Sequence, residues 1–184
     1  SRYRQVLAHS AAAQAYLIGR TVRSETAQRF GIGYAPPAWR DLGPLLQGFP
    51  QDVVDGSGLV VRAANGHTPG FDRFRDRLMF PIRTPAGQVA GFGGRSLEDG
   101  SEHGRHLAKY INSPEGPSFE KRNLVYGLYE AQGAIRQRGC AVVMEGYLDV
   151  VLSQQAGIAT AVGSLGTALT GQQVRQLLGL APRL

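Results

Sequence analysis

The sequence predicts an α/β fold in two parts: an α+β front, and behind it the β-α-β-α beginning of a parallel sheet. Three observations carry this reading. Apolar residues recur first at helical spacing, then from Gly58 in runs of β-formers broken by Pro and Gly, and from Cys140 as short apolar strands alternating with helices. With 184 residues there is room for one large domain or two small ones, and 42% hydrophobic with 18% charged residues excludes disorder of the whole chain.

The elements follow in order. Val6, Leu7, Ala11, Ala15, Leu17 and Ile18 form a helical stripe, and Ser24 to Phe30 reads as a short capped helix stopped by Gly31-Ile32-Gly33. Pro36-Pro37 forbids helix; a further piece, from Trp39 to Gln47, is interrupted by Gly43-Pro44, and another covers Gln51 to Asp55. Together these make a small helical cap. Strands are expected at Leu59 to Arg62, Arg77 to Arg83 and Val89 to Arg95, the last two joined by a turn at Thr84-Pro85-Ala86-Gly87. Glu98 to Arg105 reads as a mobile polar loop, Lys109 to Asn112 as a short extended piece and Gly127 to Gln137 as a helix. The parallel unit then comprises a strand from Cys140 to Met144, a helix from Tyr147 to Gln155, a strand from Ile158 to Val162 and a helix from the capping box at Thr170 to Leu178.

Charge narrows the function. The formal charge is +6, 18 of the 20 cations are Arg, and no carboxylate follows Asp149. Arginine suits bidentate phosphate contacts, although Arg also accompanies GC-rich coding. No stretch approaches the ~20 apolar residues of a membrane span, and Ser1-Arg2-Tyr3-Arg4 leads into a polar helix instead of a signal peptide. The cytoplasm is the expected compartment. Cys140, alone and in an apolar run, reads as a buried small hydrophobe.

Glu145-Gly146-Tyr147-Leu148-Asp149 is the sharpest constellation. It puts one carboxylate at the carboxyl end of a parallel strand and a second one helical turn later, at the place where open α/β sheets bind ligands. Two carboxylates there suit a hard cation such as Mg²⁺; the alternative is that both acids only serve the helix dipole. In a strand, Arg73, Arg75 and Arg77 would share one face and offer a nucleic-acid backbone a row of cations, with a solvated face neutralised by Asp72 and Asp76 as the alternative. Lys109-Tyr110-Ile111-Asn112 combines a cation, an aromatic ring and an amide. Gly163-Ser164-Leu165-Gly166-Thr167 could cradle a phosphate but lacks a P-loop lysine. His9, His67, His103 and His106 lack the partners that a zinc site needs.

Eight ordered segments together resemble the RNA-polymerase core of bacterial replicative DNA primases: Arg29 to Pro37, Asp72 to Arg75, Arg77 to Arg83, Gly91 to Arg95, Lys109 to Pro114, Tyr126 to Ala131, Glu145 to Val151 and Ser164 to Thr167. The resemblance implies a template-binding α+β subdomain over residues 1–137 and the start of a Toprim domain over 138–184. It implies that Glu145 is the Toprim glutamate, as metal ligand or general base, with Asp149 as the supporting acid. Arg73, Arg95, Lys109, Tyr110, Asn112 and Lys121 would hold template or nucleotide. The implied activity is synthesis of short RNA primers on single-stranded DNA from ribonucleoside triphosphates, with Mg²⁺ or Mn²⁺ bound by the Toprim carboxylates. Zinc and the replicative helicase would engage separate domains outside this chain, and the protein would act as a monomer away from membranes.

The family's Asp-x-Asp motif is expected after the last helix and is not in this sequence. The chain is therefore expected to be a core fragment, inactive alone. Two other readings are a non-catalytic single-strand-binding module and another Toprim enzyme, such as a topoisomerase or recombination mediator. The latter two lack, respectively, their separate cleavage-tyrosine domain and Cys-rich zinc motif here.

Overall fold

A computed structural model describes residues 2–62, 70–97, 108–166 and 168–184. The polar loop, His67, His103, His106 and Thr167 of the sequence analysis lie outside the described residues.

The front begins with three helices, α1 (Arg2–His9), α2 (Ala11–Gly19) and α3 (Ser24–Phe30). The first apolar stripe is thus two helices. Ser10 divides them, its hydroxyl accepting from Ala13 N at 3.3 Å as the cap of α2. After β1 (Gly33–Ala35) come α4 (Gly43–Leu46) and α5 (Gln51–Gly56). Gly43-Pro44 opens α4 instead of interrupting a longer helix, because proline's missing N–H costs nothing in a first turn.

Two-residue strands β2 (Val60–Val61) and β3 (Phe71–Asp72) pair with each other, and the main sheet runs β1-β4-β5-β6 with β4 (Arg77–Arg83), β5 (Val89–Ser96) and β6 (Tyr110–Asn112), all antiparallel. The expected turn joins β4 to β5, with Gly87 at φ 88° and its N–H on Thr84 O at 2.9 Å. The expected row of arginines does not form. Residues 73–76 bend out of the ladder, and Asp76 sits at φ 48°, held by the Tyr34 hydroxyl. Arg77 is buried, its guanidinium bonded to Gly94 O and Lys109 O.

A 3₁₀ turn (Lys121–Asn123) leads to α6 (Leu128–Arg138), β7 (Val142–Met144), α7 (Tyr147–Gln155), β8 (Ala161–Gly163) and α8 (Gly171–Leu178). Strands β7 and β8 are parallel, as the alternation predicts, with Met144 opposite Gly163. Strand β8 starts three residues later than expected, since Ile158 to Ala161 closes a turn, the Ala161 N–H donating to Ile158 O at 3.0 Å. Thr170 and Gln173 form the predicted capping box. Cys140 is half-buried, not buried, and bridges in parallel to Arg183.

One core cluster contains Phe30, Ile32, Leu78 and Phe80 from the front together with Tyr147, Val150 and Val151 from α7. A second, with Leu128, Ile135, Val162 and Leu177, lies beneath α6 and α8. Because the first cluster spans both parts, the antiparallel sheet and the β7–α7 junction are packed directly on each other. No described helix is long and apolar enough to cross a membrane.

Candidate active-site cleft

The carboxyl end of β7 opens into a cleft of about 990 Å³. Glu145 and Asp149 stand on one side, both exposed. The chain turns at Gly146, and Asp149 folds back so closely that a Cβ on Gly146 would lie 2.6 Å from Asp149 Oδ2. Glycine there leaves room for the Asp149 carboxylate to fold back over the turn that follows Glu145. Arg95 of β5, Lys109 and Tyr110 form a basic wall, joined by Arg20 from the end of α2.

Arg95 is 2% exposed, its guanidinium lying 4.6 Å from the Tyr16 ring centre and 5.7 Å from that of Tyr110. The Tyr16 hydroxyl accepts from Arg20 Nε at 3.1 Å, so one tyrosine supports both arginines. Tyr110 is 36% exposed, and burial raises its phenol pKa against the opposing pull of Arg95. It faces the cleft as a neutral ring able to stack or donate. The loop after β8 contributes Ser164 and Gly166 to the floor, but the first turn of α8 is satisfied by Thr170, whose oxygen accepts from Gln173 N.

Three of the eight candidate residues lie outside the lining of this cleft. Arg73 Nε donates to Asn112 O at 3.1 Å. The Asn112 side chain is itself engaged, Oδ1 accepting from the Tyr147 hydroxyl at 2.5 Å and Nδ2 donating to Leu165 O at 3.2 Å. Lys121 belongs to the 3₁₀ turn against α8, where its carbonyl accepts from Gln173 Nε2 at 3.0 Å. A second groove, of about 810 Å³ between α1, α2 and α3, has a mainly apolar lining and no carboxylate pair.

The family described as DNA primase catalytic core, N-terminal domain, matches residues 2–132. The chain belongs to the DNA primase family. A DNA primase of Neisseria meningitidis is 43% identical over 176 residues, covering 96% of this chain and 28% of its own length. The RNA polymerase domain of Mycobacterium tuberculosis primase, solved with double-stranded DNA, superposes with a TM-score of 0.87 at 39% identity, over 97% of this chain and 56% of that one. A primase catalytic domain bound to single-stranded DNA gives 0.84 at 39% identity, over 98% and 55%. The chain therefore spans little more than a quarter of its full-length curated relative and just over half of the solved primase domains.

Reasoning from sequence missed several side chains of this primase core. Arg20 and Tyr16 carried no signal, being single residues near the end of an ordinary helix. Trp39 is 62% exposed with the Arg75 guanidinium 4.2 Å from its ring centre, and Phe71 packs edge-on to it at 5.3 Å. Arg75 is thus a half-buried cation beneath an exposed tryptophan and not part of a straight basic row. The chain's one tryptophan, two residues beyond Pro36-Pro37, is the available clue.

Proposed function

We propose that this chain supplies the template-binding front and part of the catalytic cleft of an enzyme that makes short RNA primers on single-stranded DNA. Residues 1–137 form the template-binding subdomain and 138–184 begin a Toprim domain. The observation that carries the proposal is the juxtaposition of Glu145 and Asp149 with Arg95, Lys109, Tyr110 and Arg20 across one cleft. Nucleotidyl transfer needs both kinds of group. Cations neutralise the incoming triphosphate and the departing pyrophosphate, while a carboxylate near the primer 3′ hydroxyl can take its proton or hold a cation there. A module that only bound nucleic acid would gain nothing from two carboxylates facing the phosphates, since they repel them.

Glu145 and Asp149 are hard oxygen donors that line the same cleft, and their chemistry fits one Mg²⁺ or Mn²⁺ that keeps water or phosphate at its other positions. When bound, such a cation lowers the pKa of a coordinated hydroxyl and offsets phosphate charge. Among the described residues no third His, Cys, Asp or Glu joins them. We assign the single-stranded template to the exposed Trp39, the half-buried Arg75 beside it and Arg73, since stacking and phosphate pairing together tolerate any sequence. The protein acts in the cytoplasm as a monomer, and domains other than this chain take zinc and the replicative helicase.

The test is primer synthesis by the intact protein carrying Glu145→Gln. The substitution keeps size and removes the charge, and synthesis is expected to fall about 10²-fold or more. Undiminished synthesis would remove Glu145 from the chemistry.

A further inference from the structure

The two walls of the cleft come from distant parts of the chain, the basic wall from β5 and β6 and the carboxylates from the β7–α7 junction. Tyr147, a core residue outside the cleft lining, links the elements that carry them. It is the first residue of α7, two positions after Glu145, and is 5% exposed. Its hydroxyl donates to Asn112 Oδ1 at 2.5 Å, and Asn112 continues the link to Leu165 O in the loop after β8. Its ring lies on Phe80 of β4, centres 5.4 Å apart and planes 10° from parallel, with Tyr126 edge-on at 4.7 Å.

The ring can lie there only because residue 93 has no side chain. A Cβ on Gly93 would be 2.4 Å from the Tyr147 ring and 2.7 Å from its hydroxyl, closer than packed atoms come. Gly93 also pairs with Asn112 across β5 and β6. The Gly-rich strand, the Tyr110–Asn112 strand and the Glu145–Asp149 turn therefore meet at one point.

We propose that Tyr147 is a positioning residue, a strut that sets the distance between the carboxylates and the basic wall, with Gly93 and Asn112 as its seats. The role of Asn112 is then to hold Tyr147 and the loop after β8, not to touch template or nucleotide. This inference rests on the cleft being the site of nucleotidyl transfer. Its effect belongs to the chemical step, because a reacting pair displaced by about 1 Å can lose on the order of 10²-fold in rate while each substrate still binds.

The experiment compares Tyr147→Phe, Asn112→Ala, the double variant and Glu145→Gln in the intact protein. It measures kcat and nucleotide KM for primer synthesis, template affinity and the melting temperature. Tyr147→Phe keeps the packed ring and loses only the hydroxyl, so the fold is retained. The expected result is a kcat lower by about tenfold or more, with KM and template affinity unchanged. The double variant is expected to fall little further than Tyr147→Phe alone, because one contact is being removed twice.

A wild-type kcat in Tyr147→Phe, with Glu145→Gln inactive, overturns the inference and leaves the cleft reading standing. A lowered melting temperature with unchanged kcat does the same. Additive losses, or a KM effect confined to Asn112→Ala, would return Asn112 to direct contact and also overturn it. Full activity in Glu145→Gln would remove the cleft reading and this inference together.

Discussion

Trp39 shows how much a single residue's role depends on partners far along the chain. An exposed tryptophan alone is unremarkable, but one backed by Arg75 at 4.2 Å and Phe71 at 5.3 Å is a held ring with a fixed charge beside it. Trp39→Ala is expected to weaken binding of a labelled single strand by about 1–3 kcal/mol without changing its salt dependence. Arg75→Ala should in addition lower the slope of log affinity against log salt by about 0.7, as one lost phosphate contact requires. Anisotropy titrations at several salt concentrations separate the two, and a salt slope unmoved by Arg75→Ala would place the template elsewhere. The sequence showed these residues but not this arrangement. A strand through 72–77 was a fair reading of alternating Arg, yet the positive φ of Asp76 depends on the hydroxyl of Tyr34, more than forty residues earlier. Nothing local announces such a bond. For Asn112, likewise, residue type suggests a nucleic-acid contact but does not show that the side chain also accepts from the Tyr147 hydroxyl and donates to Leu165 O.

Elements whose ends carry their own chemistry were readable. The turn at Thr84–Gly87 has Pro and Gly where a turn needs them, and α7 falls between Gly146 and Gly157 as expected. At α8 the Thr170 hydroxyl accepts from Gln173 N at 3.2 Å and donates to Arg122 O at 2.9 Å, tying the helix start to the 3₁₀ turn. Thr170→Ala is expected to cost about 1 kcal/mol, seen as a lower denaturant midpoint with an unchanged slope. A midpoint equal to that of the unaltered chain would show that the cap contributes nothing. Strand β1 was not readable: Gly33–Ala35 is too short for a period and is extended because it pairs with Arg77 to Met79. Strand β8 was misplaced for a related reason, since Ile158 to Thr160 has strand-like composition but is used to close a turn. Long-range pairing overrides local preference at β1, and a local turn does so at β8.

On the scale of the whole molecule, the four-stranded sheet and the β7–α7 junction share a core, and charged groups are caught between the elements around it. Glu130 on α6 is largely buried beside Arg83 of β4, 3.6 Å away, and burial raises its carboxyl pKa despite the opposing pull of Arg83 and Arg29. The unfolded chain releases this proton near pH 4.5, before the folded one does. Between those two pKa values the native state binds more protons, so the Glu130 contribution makes stability fall as pH rises from about 4.5. Glu130→Gln should flatten that part of the stability–pH curve, and an unaltered curve in denaturant titrations would show that Glu130 ionises as freely folded as unfolded. The same joining of the sheets brings the acids of one part opposite the cations of the other, and the proposed chemistry depends on that opposition. The most direct test is crystallographic: Mn²⁺ and a ribonucleoside triphosphate bound to the protein, with the metal located by its anomalous scattering. Metal is expected against Glu145 and Asp149 with the triphosphate along Arg20, Arg95 and Lys109; metal or nucleotide bound outside this cleft would contradict the proposed function.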